Sequence, residues 1–305
     1  MKRRKASEGH IDRRSFLNGA GRFAVGTLTV GAIEMMRPSY GWAQQVAKEI
    51  HPASARVVDR LRTSFTFQIS VDVATLEQGL AVAGAALAGG VTIVEMGTPL
   101  LKNQGVSNVV PAFRKKFPEA LLLADMKTMD GGAFEARAVY TGGGNIVDFL
   151  ALAGMDTAKA ICAVRDEWRS ADPALPRLAF ADIMVPHQGK PAQAVEVALG
   201  MLEAGVDGVG VHLQADARRA DPTLIESHYL EEVARAAFKR VGDTAPVQVV
   251  GGLSIAQAKS LAQAGLRAFV ISGNLGQPDG RARYDLAPDQ IQRLVAGFIA
   301  EVSSA

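Results

Sequence analysis

The 305-residue chain is poor in the residues that staple, stack or span. It holds one cysteine and two tryptophans, and aromatic residues make up only 6% of it. A single cysteine excludes any disulfide within the chain, so this is no disulfide scaffold. Cys162 falls in a helix-patterned segment, Thr157–Trp168, with no histidine near it in sequence, and reads as packing rather than as a nucleophile. No apolar run approaches the ~20 residues that a membrane-spanning helix needs. An excess of one charge is lacking too: 33 lysines and arginines face 31 acids, for a net +2. What is present is 48% hydrophobic residues and 31 glycines, the composition of a globular domain and not of a disordered tail or a collagen.

The small positive excess sits at one end. Residues 1–43 hold eight of the 33 basic residues and three of the 31 acids, leaving 25 bases against 28 acids in residues 44–305. The overall pI near 8.7 therefore gives no ground for a nucleic-acid partner. Within that basic head, Asp12-Arg13-Arg14-Ser15-Phe16-Leu17 precedes a weakly apolar stretch, Phe23–Ile33, and then Gly41-Trp42-Ala43 before Gln44. Twin arginines beside Phe-Leu, modest hydrophobicity and small residues before a cut resemble a twin-arginine export signal. The expected product is a periplasmic or otherwise exported protein with no stable membrane insertion. Residues 44–64 read as a linker.

From residue 65 onward, short apolar runs alternate with helical patterns. The runs are Phe65–Val73, Val91–Met96, Ala120–Met126, Asn145–Ala151, Arg177–Met184, Val206–His212, Ala245–Val250 and Leu266–Ser272. Each is apolar almost throughout, as strands covered on both faces should be. Helical patterns follow every one, the last over Pro288–Ser303. A weak echo recurs before strands: Leu87-Ala-Gly-Gly-Val91, Leu202-Glu-Ala-Gly-Val206 and Leu261-Ala-Gln-Ala-Gly-Leu266. Each reads as a helix closed by glycine and followed by a strand start. Eight such units predict an α/β fold, a (β/α)8 TIM barrel over residues 65–305. An open doubly wound sheet would place a glycine fingerprint after its first strand, where this chain has Val73-Ala-Thr-Leu-Glu77.

Chemistry in such barrels sits at the C-terminal strand ends. There the sequence offers Asp72, Glu95, Asp125, Lys127, Asp130, Asp182 and His212, with Gly251-Gly252 on strand seven and Ser272-Gly273-Asn274 on strand eight. Singly, a strand-end aspartate is commonly a helix cap and a Gly-Gly pair a turn. Jointly they make a rim of five acids, a lysine and a histidine beside two glycine-containing turns. Bare backbone N–H groups in adjacent turns suit an anion such as phosphate. Asp125 and Lys127, two apart in an extended strand, point to the same side. His212, with an intrinsic pKa near 6.5, suits proton traffic at neutral pH.

These residues resemble a known group. Asp125-x-Lys127-x-x-Asp130 on the third strand is the signature of the orotidine 5′-monophosphate decarboxylase suprafamily. Glu95-Met-Gly-Thr-Pro-Leu-Leu-Lys-Asn-Gln-Gly105 and Ala124-Asp-Met-Lys-Thr-Met-Asp130 look like the motifs of its 3-hexulose-6-phosphate synthase and 3-keto-L-gulonate-6-phosphate decarboxylase members. The resemblance implies a homodimeric lyase that uses Mg²⁺ and a 1,2-enediolate on a sugar phosphate or related keto-sugar. By position it makes Glu95 and Asp125 the metal ligands and Lys127 the neutraliser of enediolate charge. It sends Asp130 into the neighbouring subunit's site, and it makes Asp72 a positioning acid. Asp182 and His212 become proton carriers. Gly251, Gly252, Gly273 and Asn274 become the phosphate-binding turns.

The synthase reaction, joining formaldehyde to ribulose 5-phosphate, is the expectation; decarboxylation is the alternative. Asn274 and Ala215 stand where the decarboxylase has arginines, which tilts toward the synthase. A non-catalytic, exported anion- or sugar-binding barrel is a further alternative, but it has no use for Glu95, Asp125, Lys127 and Asp130 together. Export and a phosphorylated pentulose pull against each other, since such sugars are cytoplasmic metabolites. His187, in the Pro186–Lys190 loop, reads as solvent-exposed.

Overall fold

The computed structural model describes residues 51–226 and 228–305. The segment read as an export signal lies outside them. Eight parallel strands close into a barrel in chain order: β1 Thr66–Val71, β2 Ile93–Met96, β3 Leu121–Thr128, β4 Ile146–Leu150, β5 Leu178–Val185, β6 Gly208–Leu213, β7 Val247–Val250 and β8 Ala268–Ile271. The last closes on the first, with Thr66 opposite Ala268 and Ile69 opposite Ile271. Parallel neighbours need crossovers, and helices supply them. They are α2 Leu76–Ala88, α3 Thr98–Gln104, α4 Val106–Lys116, α5 Gly132–Thr141, α6 Gly154–Ala171, α7 Pro191–Glu203, α8 Ala215–Ala220, α9 Thr223–Glu226, α10 Tyr229–Val241, α11 Ile255–Gln263 and α12 Pro288–Ser303. The barrel expected from the eight apolar runs is the fold observed. None of the described helices is long and apolar enough to cross a membrane.

One stretch departs from its expected form. Pro52–Thr63, within the segment read as a linker, is a helix, α1. Its Leu61 is fully buried and packs with Ile93, Leu123, Ile146, Leu178 and Phe180, the inward residues at the N-terminal ends of β2 to β5. Ser54 Oγ donates to the Arg177 carbonyl and accepts from the Arg177 N–H, at 3.2 and 3.0 Å. α1 is thus a floor. Without it, five large apolar side chains would meet water at the barrel's base, at about 25 cal/mol per Å² exposed.

The outer ring buries the other strand faces. Phe298 of α12 meets Phe67 of β1 edge-on, with centroids 6.1 Å apart, and covers the β1–β8 seam. Cys162 in α6 is buried, as expected, and burial pushes its thiol up to about 11, which keeps it protonated. Beside it, Asp207 accepts from Arg165 at 2.9 Å and Arg169 at 2.7 Å, tying α6 to the start of β6.

Candidate active site

The period of two along each strand sets the site. Inward positions run Ile93–Glu95 on β2, Leu123–Asp125 on β3, Ile146–Asp148 on β4 and Phe180–Asp182 on β5. The lower member of each pair is apolar and packs on α1; the upper is an acid. From β1 and β7, Gln68 and Gln248 continue the polar layer. Gln248 Nε2 donates to Gln68 Oε1 at 2.9 Å, and Gln68 Nε2 donates to Glu95 Oε2 at 2.6 Å. Ser70 Oγ lies 3.0 Å from Glu95 Oε1 and 2.7 Å from Asp72 Oδ2.

β3 does more than extend. The register between β3 and β4 slips between Asp125 and Thr128, and Lys127 adopts φ +49°. Such a left-handed residue in a bulge is a strained way to aim a side chain, and it occurs at functional sites. The result matches the expectation from spacing: Lys127 and Asp125 face the same space. Lys127 Nζ donates to Asp125 Oδ1 at 2.5 Å and to Asp182 Oδ2 at 3.1 Å. Asp182 Oδ2 also lies 2.7 Å from His212 Nδ1. Thr98 Oγ1, at the start of α3, donates to Asp125 Oδ2 at 2.8 Å. Gly210 on β6 leaves room for this arrangement, since a Cβ there would strike Asp182 Oδ1.

The electrostatics follow from crowding. Burial alone would lower the Lys127 ammonium; Asp182, Asp125, Asp148 and Glu95 outweigh it and hold the pKa well above the usual lysine value. Asp182 is the converse case. Burial favours its neutral form, but Lys127 and His212 reverse that and hold the carboxyl below the usual range. Burial, then the charges of Asp125 and Asp72, push Glu95 well up. Burial, Asp182 and Asp125 do the same to Asp148. Asp72 is exposed at the rim, yet protein surrounds its carboxyl. That burial raises it, against the Ser70 hydrogen bond.

Five carboxylates thus share one lysine and one histidine. Oxygens of Asp125, Asp148 and Asp182 lie within 4.8 Å of one another, and among the described residues Asp148 Oδ1 and Asp182 Oδ1 are buried without a hydrogen-bond partner. A donor set of hard, under-neutralised oxygens with unpartnered lone pairs fits a divalent cation. This grouping differs from the pair read from sequence. Asp125 belongs to both; Glu95, the other member of that pair, accepts from Gln68 and Ser70. Asp148 is missing from the sequence reading because the fourth run is apolar almost throughout and its single acid carries no motif. A lone acid two residues after Ile146 was the available signal.

The other expected residues divide. Asp130 lies outside the cluster, exposed, accepting from the Gly131 N–H at 2.7 Å. Gly251 and Gly252 form the turn after β7, with φ +133° and +72° that side chains rarely adopt. Gly252 N donates to Ser272 Oγ at 3.3 Å, which joins the two turns. Asn274, read as a substrate contact, is buried, and its Nδ2 donates to the carbonyls of Gly252, Leu253 and Gln277. It therefore braces the turn, because three main-chain acceptors engage its amide below the rim. Gly273 lies under the Tyr284 ring, whose hydroxyl donates to the Ser70 carbonyl at 2.6 Å. Tyr284 belongs to the loop after β8, and nothing in the sequence pattern marked it. His187 is exposed.

Residues 66–220 match the model of the orotidine 5′-phosphate decarboxylase / HUMPS family. A 3-hexulose-6-phosphate synthase from Mycobacterium gastri is 28% identical over 214 residues, 68% of this chain and 89% of that one. A crystal structure of 3-hexulose-6-phosphate synthase aligns with a TM-score of 0.61 at 26% identity, covering 77% of this chain and 99% of its own. KGPDC from Streptococcus mutans, solved in complex with a sugar phosphate, has the same fold, with a TM-score of 0.62 at 22% identity over 78% of this chain and 98% of its own. The family match runs from β1 through α8 and so takes in every acid of the cluster, Lys127 and His212. On that match the chain is an enzyme and belongs to the orotidine 5′-phosphate decarboxylase / HUMPS family.

Proposed function

We propose that this enzyme is a magnesium-dependent lyase of the 3-hexulose-6-phosphate synthase type, joining formaldehyde to ribulose 5-phosphate through a 1,2-enediolate. The observation that carries the reading is Asp182, which holds His212 Nδ1 at 2.7 Å and Lys127 Nζ at 3.1 Å on one oxygen. An ionised Asp182 selects the Nδ1–H tautomer and leaves the lone pair on Nε2. That nitrogen takes the substrate's C1 proton. The electron pair left at C1 attacks the formaldehyde carbon, a C–C bond forms, and the former formaldehyde oxygen takes a proton to become a hydroxyl. Negative charge develops on the two enediolate oxygens, and Lys127 offers it a fixed positive group.

Asp125, Asp148 and Asp182 are the residues that would hold Mg²⁺. When bound, the ion supplies Lewis-acid stabilisation of that charge. Losing a carboxylate in place of a proton would give the same intermediate. Alanine at 215 and asparagine at 274, where the decarboxylase has arginines, favour the synthase reaction.

The active unit is proposed to be a homodimer. Asp130 sits beside Met129 and Phe134, 52% and 81% exposed, an apolar face that a second copy would cover. Residues 1–43 are proposed to export the protein by the twin-arginine route, which a periplasmic wild type and a cytoplasmic Arg13→Lys/Arg14→Lys variant would support. The activity test is direct. With Mg²⁺, formaldehyde and ribulose 5-phosphate, the protein should form 3-hexulose 6-phosphate, and Lys127→Ala should not. Absence of product from the wild type would reject the synthase reading.

A further inference from the structure

We infer that Arg218 is the side chain that binds the phosphate of the substrate, from a position that neither missing arginine occupied; this rests on the sugar-phosphate reading above. Ala215, after β6, and Asn274, after β8, stand where the decarboxylase has arginines. The short α8, Ala215–Ala220, restores one of them three residues on. Arg218 reaches from the end of β6 across to the end of β7, where its Nη1 donates to the Gly251 carbonyl at 2.9 Å. The guanidinium lies against the next residue so closely that a Cβ on Gly252 would collide with Nη1 and Cζ. The glycine pair thus serves the arginine as well as the turn.

Among the described residues the neighbouring arginines have carboxylate partners and Arg218 has none. Arg219 pairs with Asp216 at 2.8 Å, and Arg283, on the far side of the turn, pairs with both oxygens of Asp279 at 2.7 Å. Among the described residues no carboxylate pairs with Arg218, which is half-buried. A guanidinium carries five N–H donors in a planar fork. Among the described residues, one bond, to the Gly251 carbonyl, occupies it. A partly desolvated cation with open donors favours an anion that can take two of them at once. The Ser272 hydroxyl, which accepts from the Gly252 N–H at 3.3 Å, adds a neutral donor at the same turn. Asn274 holds that turn in place through the Gly252 and Leu253 carbonyls. A phosphate monoester, dianionic and many-acceptored, fits this set better than a neutral hydroxyl would.

The test measures inorganic phosphate binding to the full chain by calorimetry, and KM and kcat with ribulose 5-phosphate. Losing charge-assisted bonds should weaken phosphate binding about 10- to 100-fold in Arg218→Ala, with KM rising by a similar factor and kcat falling less than about threefold. Arg218→Lys, which keeps the charge but loses the fork, should fall between the two. It also guards against misfolding, together with an unchanged far-ultraviolet circular dichroism spectrum.

Phosphate affinity that is the same in wild type and both variants, or absent from wild type, overturns the inference. If wild type lacks turnover but binds phosphate through Arg218, the synthase reading fails and this one stands. If wild type turns over and Arg218→Ala keeps its KM, the reverse holds.

Discussion

Replacing Asp182 with asparagine should separate catalysis from folding more sharply than any other single change in the site. One carboxylate oxygen accepts from both Lys127 and His212. The amide offers an acceptor of similar shape but no charge, and its NH₂ faces an imidazole nitrogen that had been a donor. Two charge-assisted hydrogen bonds are weakened, each worth about 1.5–3 kcal/mol, and His212 is freed to take the wrong tautomer. If about 3–5 kcal/mol of this is felt in the transition state, kcat falls roughly 10²- to 10⁴-fold.

The fold should suffer less. Because Lys127 and His212 hold the folded carboxyl below its ordinary value, its stabilisation is present above the unfolded pKa and lost as pH falls through the depressed one. The asparagine variant forfeits that contribution but relieves Asp148, whose carboxyl Asp182 pushes upward. A net cost of about 1–2 kcal/mol is expected. The assay is steady-state turnover alongside urea unfolding. A kcat within tenfold of wild type would refute the role given to this carboxylate.

Other consequences concern the frame. Asp207→Asn leaves Arg165 and Arg169, each with 6% of its side chain exposed, facing a neutral amide. A cost of about 3–5 kcal/mol is expected, or a drop in Tm of roughly 6–20 °C by calorimetry. The two arginines overcome burial and depress the Asp207 pKa, so in wild type this support persists above the ordinary carboxylate pKa and is lost only as pH falls through the lowered one. Thermal melts of the variant should therefore approach those of wild type in strong acid. Leu61→Ala should lower stability by about 2–5 kcal/mol in urea titration by opening the barrel floor, and should leave KM unchanged. Gly210→Ala drives a methyl into Asp182 Oδ1, and a shift of about 1 Å there should cost about 100-fold in kcat while the far-ultraviolet spectrum stays the same.

How much of this was legible in the sequence follows from the range of each signal. The eight strands are near-continuous apolar runs, and a local period reveals them. The residues of the rim follow at once, because strand ends are where barrels place chemistry. α1 was invisible because Arg56, Asp59, Arg60 and Arg62 dilute its apolar face, and its purpose, covering β2 to β5, exists only after closure. Asp148 was hidden by its neighbours: Ile146, Val147, Phe149 and Leu150 made the strand read as pure core. The bulge at Lys127 has no local signature, although the spacing to Asp125 led to the right shared direction. The bracing role of the Asn274 amide has no local signal, since its three carbonyl acceptors come together only in the folded loops. Arg218 and Tyr284 lie in segments without strand or motif pattern, and only the closed barrel brings them to Gly252 and Gly273.

The acids, Lys127 and His212 are proposed to act together on an enediolate. Proton exchange at C1 of ribulose 5-phosphate in deuterated water, without formaldehyde and followed by NMR, tests it most directly. Exchange that requires Mg²⁺, stops with EDTA and vanishes in Lys127→Ala and His212→Ala is the predicted result. No exchange in the wild type, or exchange untouched by both substitutions, would contradict the account.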